Sequence, residues 1–361
     1  MEKFAFIFHP ISIKDMEHVS PIMKYIPDRL IEAGLKMKRP FKVSNITGVY
    51  SEHAEAEGWF VGIPLTAKQM VELPEEFVMD RIIEAGKVAQ ELGAKIVGLG
   101  AFSSIIGDAG ITVDKSLDIA VTSGNSYTVA TALQGTKEAV ALMGKRLSDC
   151  KAVIVGASGS IGAACARLLA KEVPYVTLVA RRLEPLEDLA EELLYKEQCQ
   201  VEVTDDIKFA LKDADIVLTV TSALDFLIEP EDLKPGAVVC DVARPRNVSK
   251  DVSLKRKDVL VIEGGIIKVP GDVNFRFNFG FPPKTSYACM AETMILALEK
   301  RYESFSLGRT LDIEKVDLIS KLATKHGFGL AGFRNFERAI TKSEIDEVMH
   351  YAVENLAIHR G

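Results

Sequence analysis

Apolar residues recur along this chain in two rhythms: short, nearly unbroken runs, and longer stretches with three- and four-residue spacing. The short runs predict buried strands, and the spaced stretches predict helices with one apolar face. Residues 4–8 predict a first strand and residues 15–25 a short amphipathic helix stopped by Pro27. Segments 43–50 and 59–63 predict a strand pair around the turn-like 52–58. Residues 75–92 place apolar side chains at 78, 82, 83, 88, 89 and 92 and end at Gly93, the pattern of a glycine-terminated helix. A buried strand, 96–99, then runs into Gly100-Ala-Phe-Ser103-Ser104. Another, 119–122, ends in Ser123-Gly-Asn125-Ser126 and is followed by a long helix from about 127 to 145.

From Lys151 the alternation is regular. Strands are predicted at 152–155, 175–180, 201–203, 216–220, 237–241 and 259–262, with helices at 162–171, 184–195 and 206–212 and a turn near 230–233. Alternating strands and helices imply a parallel sheet with helices on both faces. Beyond Gly264 and Gly265 the chain is predicted irregular over 266–283 and helical at 286–302, 312–326 and 341–358. The expected fold class is therefore α/β. An N-terminal α/β substrate domain (1–126) leads through a linking helix (127–149) to a Rossmann-type, doubly wound parallel-sheet domain (150–265). A C-terminal part (266–361) of irregular chain and helices carries Cys289. No internal repeat interrupts this order.

Composition narrows the class. A chain of 361 residues, 48% hydrophobic and 26% charged, builds more than one core. It has no apolar run near the eighteen or so residues of a membrane span, which argues against integral membrane association. The first ten residues are apolar for too short a distance to be an export signal and lack a small-residue cleavage site. Five cysteines, at 150, 165, 199, 240 and 289, form no Cys-x-x-Cys pair and support neither a disulfide framework nor a metal site. A reducing, cytoplasmic setting is the expectation. The net charge of −7 argues against nucleic acid as a partner.

The most informative stretch is Val153-Ile-Val-Gly156-Ala-Ser158-Gly159-Ser160-Ile161-Gly162, a strand, a tight turn and the start of a helix. Glycines suit such a turn because the first allows the bend, the second lets backbone approach a pyrophosphate, and the third lets helix and strand pack closely. Free N–H groups at the helix start would then hold the phosphates. The alternative is a structural turn that happens to carry three glycines. The second strand ends in Arg181-Arg182, where an NAD-type site would carry a carboxylate. Two guanidinium groups suit a ribose 2′-phosphate, so NADP(H) is the expected cofactor. Thr221, Ser222, Gly264 and Gly265 follow later strands and would border the rest of it.

Among nucleophiles Cys289 separates itself. It follows Pro282-Pro-Lys-Thr285-Ser286 in the first turn of a predicted helix, with Thr285 or Ser286 as cap. A helix N-terminus favours a thiolate; the bland reading is a buried apolar cysteine, which suits the other four. His9, His53 and His326 have no partner at a diagnostic spacing, and His326 before Gly327 reads as a cap of helix carbonyls. Basic clusters at Lys36, Lys38, Arg39 and Lys42 and at Lys255, Arg256 and Lys257 read as solvated faces, or as docking points for an acidic carrier.

Leu99-Gly-Ala-Phe-Ser103-Ser104-Ile105, Thr122-Ser123-Gly-Asn125-Ser126, Val155–Gly162, Glu263-Gly264-Gly265 and Tyr287-Ala-Cys289-Met-Ala-Glu292 together resemble the cyanobacterial long-chain acyl-(acyl carrier protein) reductases, collinearly over nearly the whole chain. The resemblance implies NADPH-dependent conversion of a fatty acyl thioester, carried by acyl carrier protein or CoA, to an aldehyde through an acylated Cys289. Ser103, Ser104, Ser123 and Asn125 would then face the substrate. Residues 31–67 match only loosely, which leaves chain length and carrier open. Cys240-Asp-Val-Ala-Arg-Pro-Arg-Asn247 resembles a segment of the glutamyl-tRNA reductases, whose N-terminal cysteine signature is absent here. The glycine pattern and the arginine after the second strand are shared with shikimate-dehydrogenase-like enzymes. Two alternatives stay open: a dehydrogenase of a small hydroxy or amino acid, and an NADP-binding protein without turnover.

Overall fold

The computed structural model describes residues 1–15, 24–278, 280–336 and 338–359; most of the helix expected over 15–25 lies outside them. The chain forms two compact units, each assembled from two segments: 1–127 with 267–329, and 128–266 with 330–361.

The first unit holds a six-stranded sheet in the order Gly271–Asn274, Phe41–Tyr50, Glu55–Gly62, Glu2–Phe8, Ile96–Leu99, Ala120–Thr122. The last four of these are parallel, and Phe41–Tyr50 runs antiparallel to both its neighbours. Alternation along the strands divides the side chains between two faces. Ala5, Ile7, Val61, Val97 and Leu99 pack with Val78, Ile82, Ala85 and Ala89 of the helix Glu75–Glu91. On the other face lie Phe6 and Gly98, and there the helix Ala288–Leu298 comes so close that a Cβ on Gly98 would stand 2.0 Å from Thr293 Oγ1. That helix is apolar nearly all round and buried at every position except Cys289, as expected of one enclosed in a core.

Residues 266–361 therefore do not stand apart: 267–329 completes the first unit and 330–361 the second. The sequence expectation for 266–283 also changes, because Ile266–Lys268 and Gly271–Asn274 are strands and the second of them forms the sheet edge. So does the expected helix start at Ser286. Thr285–Tyr287 is a strand, Thr285 Oγ1 donates to Pro282 O at 2.7 Å, and the N-cap residue is Tyr287, with no side-chain cap.

The second unit is a six-stranded, wholly parallel sheet. Its order is Leu260–Glu263, Val238–Asp241, Ile216–Thr219, Lys151–Val155, Tyr175–Val179, Gln200–Thr204. Numbered from Lys151–Val155, this is the 3-2-1-4-5-6 order of the Rossmann fold, whose switch point lies between the first and fourth strands. All but the edge strand Gln200–Thr204 are near-continuous runs of buried residues, as sheets covered on both faces require.

Candidate functional site

In the second unit, the turn after Lys151–Val155 folds on itself. Gly156 has φ +92°, a region other residues rarely adopt, and its N–H donates to Val179 O at 2.8 Å. A Cβ on Gly162 would stand 2.3 Å from Gly156 O, so the helix Ser160–Leu169 can start this close to the strand only with glycine there. At Gly159 the nearest atom to an added Cβ is Gly156 O at 3.4 Å, and Ser158 and Gly159 are exposed. The turn is thus tight on its inner side and accessible on its outer side. Ser160 and Ile161 open the helix, whose first N–H groups lack partners within the helix itself. This cradle suits a pyrophosphate.

Around it, Thr221 lies against Gly156, at 3.0 Å from the position of a Cβ there. Thr221 Oγ1 and Thr219 Oγ1 both donate to Asn247 Oδ1, at 2.9 and 2.8 Å. Asn247 is itself held by Asp241, whose carboxylate accepts from the N–H groups of Ala243, Asn247 and Val248. Burial pushes Asp241 up to about 6, against the pull of Arg244 and those three N–H groups. Ser222 is exposed, Gly264 packs against Val242, and Gly265 has φ +76°. Arg181 and Arg182 are both exposed after the strand Tyr175–Val179. Among the described residues neither has an ion-pair partner, so both guanidinium groups are available to an anion.

In the first unit, the strand Ala120–Thr122 ends in the turn Ser123-Gly124-Asn125, and the helix Asn125–Leu142 begins there. Gly124 has φ +74°, and a Cβ on it would overlap Cys289, 2.3 Å from its Cα and from its Cβ. The turn predicted to face a substrate and the predicted nucleophile are therefore packed against each other. Cys289 is the second residue of its helix and half-buried, whereas the other four cysteines are buried. Burial raises the thiol pKa of those four, Cys240 to about 12.

One residue of this site was not picked out from the sequence. Glu292, fully buried one turn beyond Cys289, accepts from Thr122 Oγ1 at 2.5 Å, from Tyr127 N at 2.7 Å and from Ser306 Oγ at 2.8 Å. Burial raises its carboxyl pKa, opposed by these bonds and by Gly124 N–H. A lone charge in an otherwise apolar helical run, three positions from the candidate nucleophile, is the signal that could have found it. Ser123 Oγ donates to Ser306 O, and Asn125 is buried at the start of its helix.

The hydroxyls of Ser103 and Ser104 turn back on their own loop, donating to Gly100 O and Ala101 O at 2.7 Å each. His9 supports that loop: its Nδ1 lies 3.0 Å from Pro10 O, and its Nε2 accepts from Phe102 N at 3.1 Å. Burial holds His9 down at about 4, and it stays neutral. His326 does not cap carbonyls as expected. Its ring lies between Ser51 Oγ at 2.7 Å and Glu299 Oε1 at 2.6 Å, a tether from the first strand pair to two helix ends. Arg256 of the second basic cluster is likewise engaged, bonding Asp258 and the carbonyls of Pro230 and Leu233. Among the described residues, no group of three metal-ligating side chains is present, and no helix is long and apolar enough to cross a membrane.

Parallel sheet, strand order and glycine cradle define a Rossmann-type, NAD(P)-binding α/β protein. Residues 137–263 match the shikimate / quinate 5-dehydrogenase family. The chain is 31% identical to the aminotransferase PigE of a Serratia species over 97% of its own length, but it spans only 42% of that protein. It is 27% identical to the long-chain acyl-[acyl-carrier-protein] reductase of Synechococcus elongatus, over 90% of this chain and 98% of that one. Among solved structures, the L-tryptophan dehydrogenase of Nostoc punctiforme aligns over 99% of this chain and 89% of its own, with 14% identity and a TM-score of 0.41.

Proposed function

We propose that the protein reduces an acyl thioester to an aldehyde through an acyl-cysteine on Cys289, with NADP(H) as cofactor. The observation that carries this reading is the packing of the one half-exposed cysteine, at a helix N-terminus, against the Gly124 turn. The reductase named in Synechococcus, aligned along almost its full length, supports it.

Cys289, as the thiolate, would attack the thioester carbonyl; the carrier's sulfur leaves and takes up a proton. The helix N-terminus favours the anionic sulfur before attack and again when the carbon–sulfur bond breaks and the thiolate is restored. Gly156 to Gly162 would hold the pyrophosphate, and Arg181 and Arg182 the 2′-phosphate, with Thr221, Ser222, Gly264 and Gly265 beside them. When bound there, NADPH supplies the hydride that turns the acyl carbon into the aldehyde carbon. Ser123 and Asn125 would line the acyl group's path.

Intact-protein mass measurement after incubation with acyl-CoA or acyl carrier protein tests this. An acyl adduct is expected on the wild type and none on Cys289→Ala, and NADPH should discharge the adduct as aldehyde. No adduct on the wild type, or an equal one on the variant, would overturn the reading. The second reading, a dehydrogenase of a small hydroxy or amino acid, draws on the family match over 137–263. It predicts NADP(H) turnover with such acids and no adduct.

A further inference from the structure

Glu292 belongs to the helix Ala288–Leu298, yet every bond it accepts comes from elsewhere in the first unit. Tyr127 N is among the first N–H groups of the helix Asn125–Leu142, which have no acceptors within their own helix. Glu292 thus does from a distance what an N-cap side chain does locally. Its other oxygen gathers Thr122 Oγ1 and Ser306 Oγ, and Thr122 Oγ1 in turn accepts from Gly124 N at 3.1 Å. Ser306 Oγ also lies 2.7 Å from Ser126 Oγ and accepts from Ser126 N at 3.3 Å. Thr122 before Gly124, and Ser126 and Tyr127 after it, are therefore tied, directly or through one hydroxyl, to a single carboxyl group. Three positions earlier on the same helix, Cys289 supplies the surface on which Gly124 rests.

We propose that Glu292 is the positioning residue of the Cys289 site, clamping the 122–127 turn so that Gly124 and its neighbours hold a fixed register over the sulfur-bearing residue. The proposal rests on the reading that Cys289 carries the acyl group. A buried carboxyl is costly unless its bonds are complete, and four donors from one turn and one loop complete this one. A simple packing role would be served as well by an apolar residue of similar size, without that cost.

Glu292→Gln keeps the shape but exchanges one acceptor oxygen for a donor. With saturating acyl thioester, the first-order rate of Cys289 acylation should fall about 10²-fold, the loss expected from displacement by roughly 1 Å. NADPH affinity should not change. Alkylation of Cys289 by iodoacetamide should instead speed up as the turn loosens, with the four buried cysteines still silent. Opposite movement of the two rates is the signature of lost positioning. Unchanged rates would overturn the proposal. So would simultaneous exposure of the buried cysteines with a lower melting temperature, which would make Glu292 a general support of the fold. If Glu292→Gln does not fold, Ser306→Ala removes one donor and should move both rates the same way by smaller factors; no movement overturns the proposal. If the wild type forms no adduct with any thioester, the functional reading fails by itself, and the alkylation rates alone decide the role of Glu292.

Discussion

Gly156 and Gly124 both end a strand, both have positive φ, at +92° and +74°, and both lead into a helix, yet different things press on them. At Gly156 the crowding comes from the neighbouring strand end, Val220 and Thr221. The outward side stays clear, as Gly159 shows. At Gly124 the crowding comes from Cys289, which lies beyond the entire Rossmann sheet in sequence, and the buried carboxyl group of Glu292 binds the start of the helix that follows. The first turn is shaped for a ligand arriving from solvent. The second is shaped around a residue supplied by the chain, so its geometry depends on long-range packing.

The sharpest way to break this contrast is to add one carbon to each turn. Gly124→Ala carries a backbone cost of about 1–2 kcal/mol at positive φ, and its Cβ must displace Cys289. Acylation measured by intact mass should fall by about 10²-fold or more, with NADPH affinity intact. Gly162→Ala should do the reverse. Its Cβ meets Gly156 O, an overpacking cost of about 1–3 kcal/mol, so NADPH affinity and melting temperature should fall while Cys289 alkylation holds. If either substitution disables both readouts, the two turns are not independent.

How much of each turn the sequence reveals follows from the same contrast. In the second unit, strand periodicity, glycine spacing and the arginine pair are local, and the strand predicted at 152–155 is Lys151–Val155 in the structure. In the first unit, the place of Cys289 at a helix start is legible because the prolines and the apolar run after them write that start locally. The side-chain cap expected there does not form, because Thr285 and Ser286 are drawn into a strand, a tertiary preference that short-range patterns do not carry. Glu292, Ser306 and the His326 tether form by contacts across long sequence separations, so only their types, not their partnerships, could be read. Ser103 and Ser104 are a different case. Their hydroxyls satisfy their own loop, a use that serines in tight turns often have.

The open side of the cofactor turn can be tested with less drastic changes. Arg181 and Arg182 are exposed and have no ion-pair partners among the described residues, so removing them should cost little stability. A charge-assisted bond to a phosphate contributes about 1.5–3 kcal/mol. Each Arg→Ala change should therefore raise the dissociation constant for NADPH roughly 10- to 100-fold and leave that for NADH nearly unchanged, as read by titration of nicotinamide fluorescence. Equal losses for the two cofactors would remove the argument for NADP(H).

The smallest expected effect separates the two units by pH. His9, in the first unit, is held neutral with a pKa of about 4 against an ordinary 6.5, chiefly by burial, with Pro10 O and Asp15 pulling the other way. As pH falls from 6.5 towards 4 the unfolded chain takes up a proton that folded His9 refuses, so its contribution to stability is lost on acidification. Asp241, in the second unit, is raised from 3.8 to about 6, again chiefly by burial, against Arg244 and three backbone N–H groups. Its sign is opposite: the contribution is complete below 3.8 and is lost as pH rises through 6, because the folded state must then bury the charge. Between pH 5 and 6.5 each should change unfolding free energy by about 1–2 kcal/mol, in opposite directions. Denaturant unfolding of the wild type minus His9→Gln isolates the first slope from Glu292 and His326, and the wild type minus Asp241→Asn isolates the second. A rising difference with pH for His9 and a falling one for Asp241 are expected; slopes of the same sign would mean that burial is not what sets these two groups.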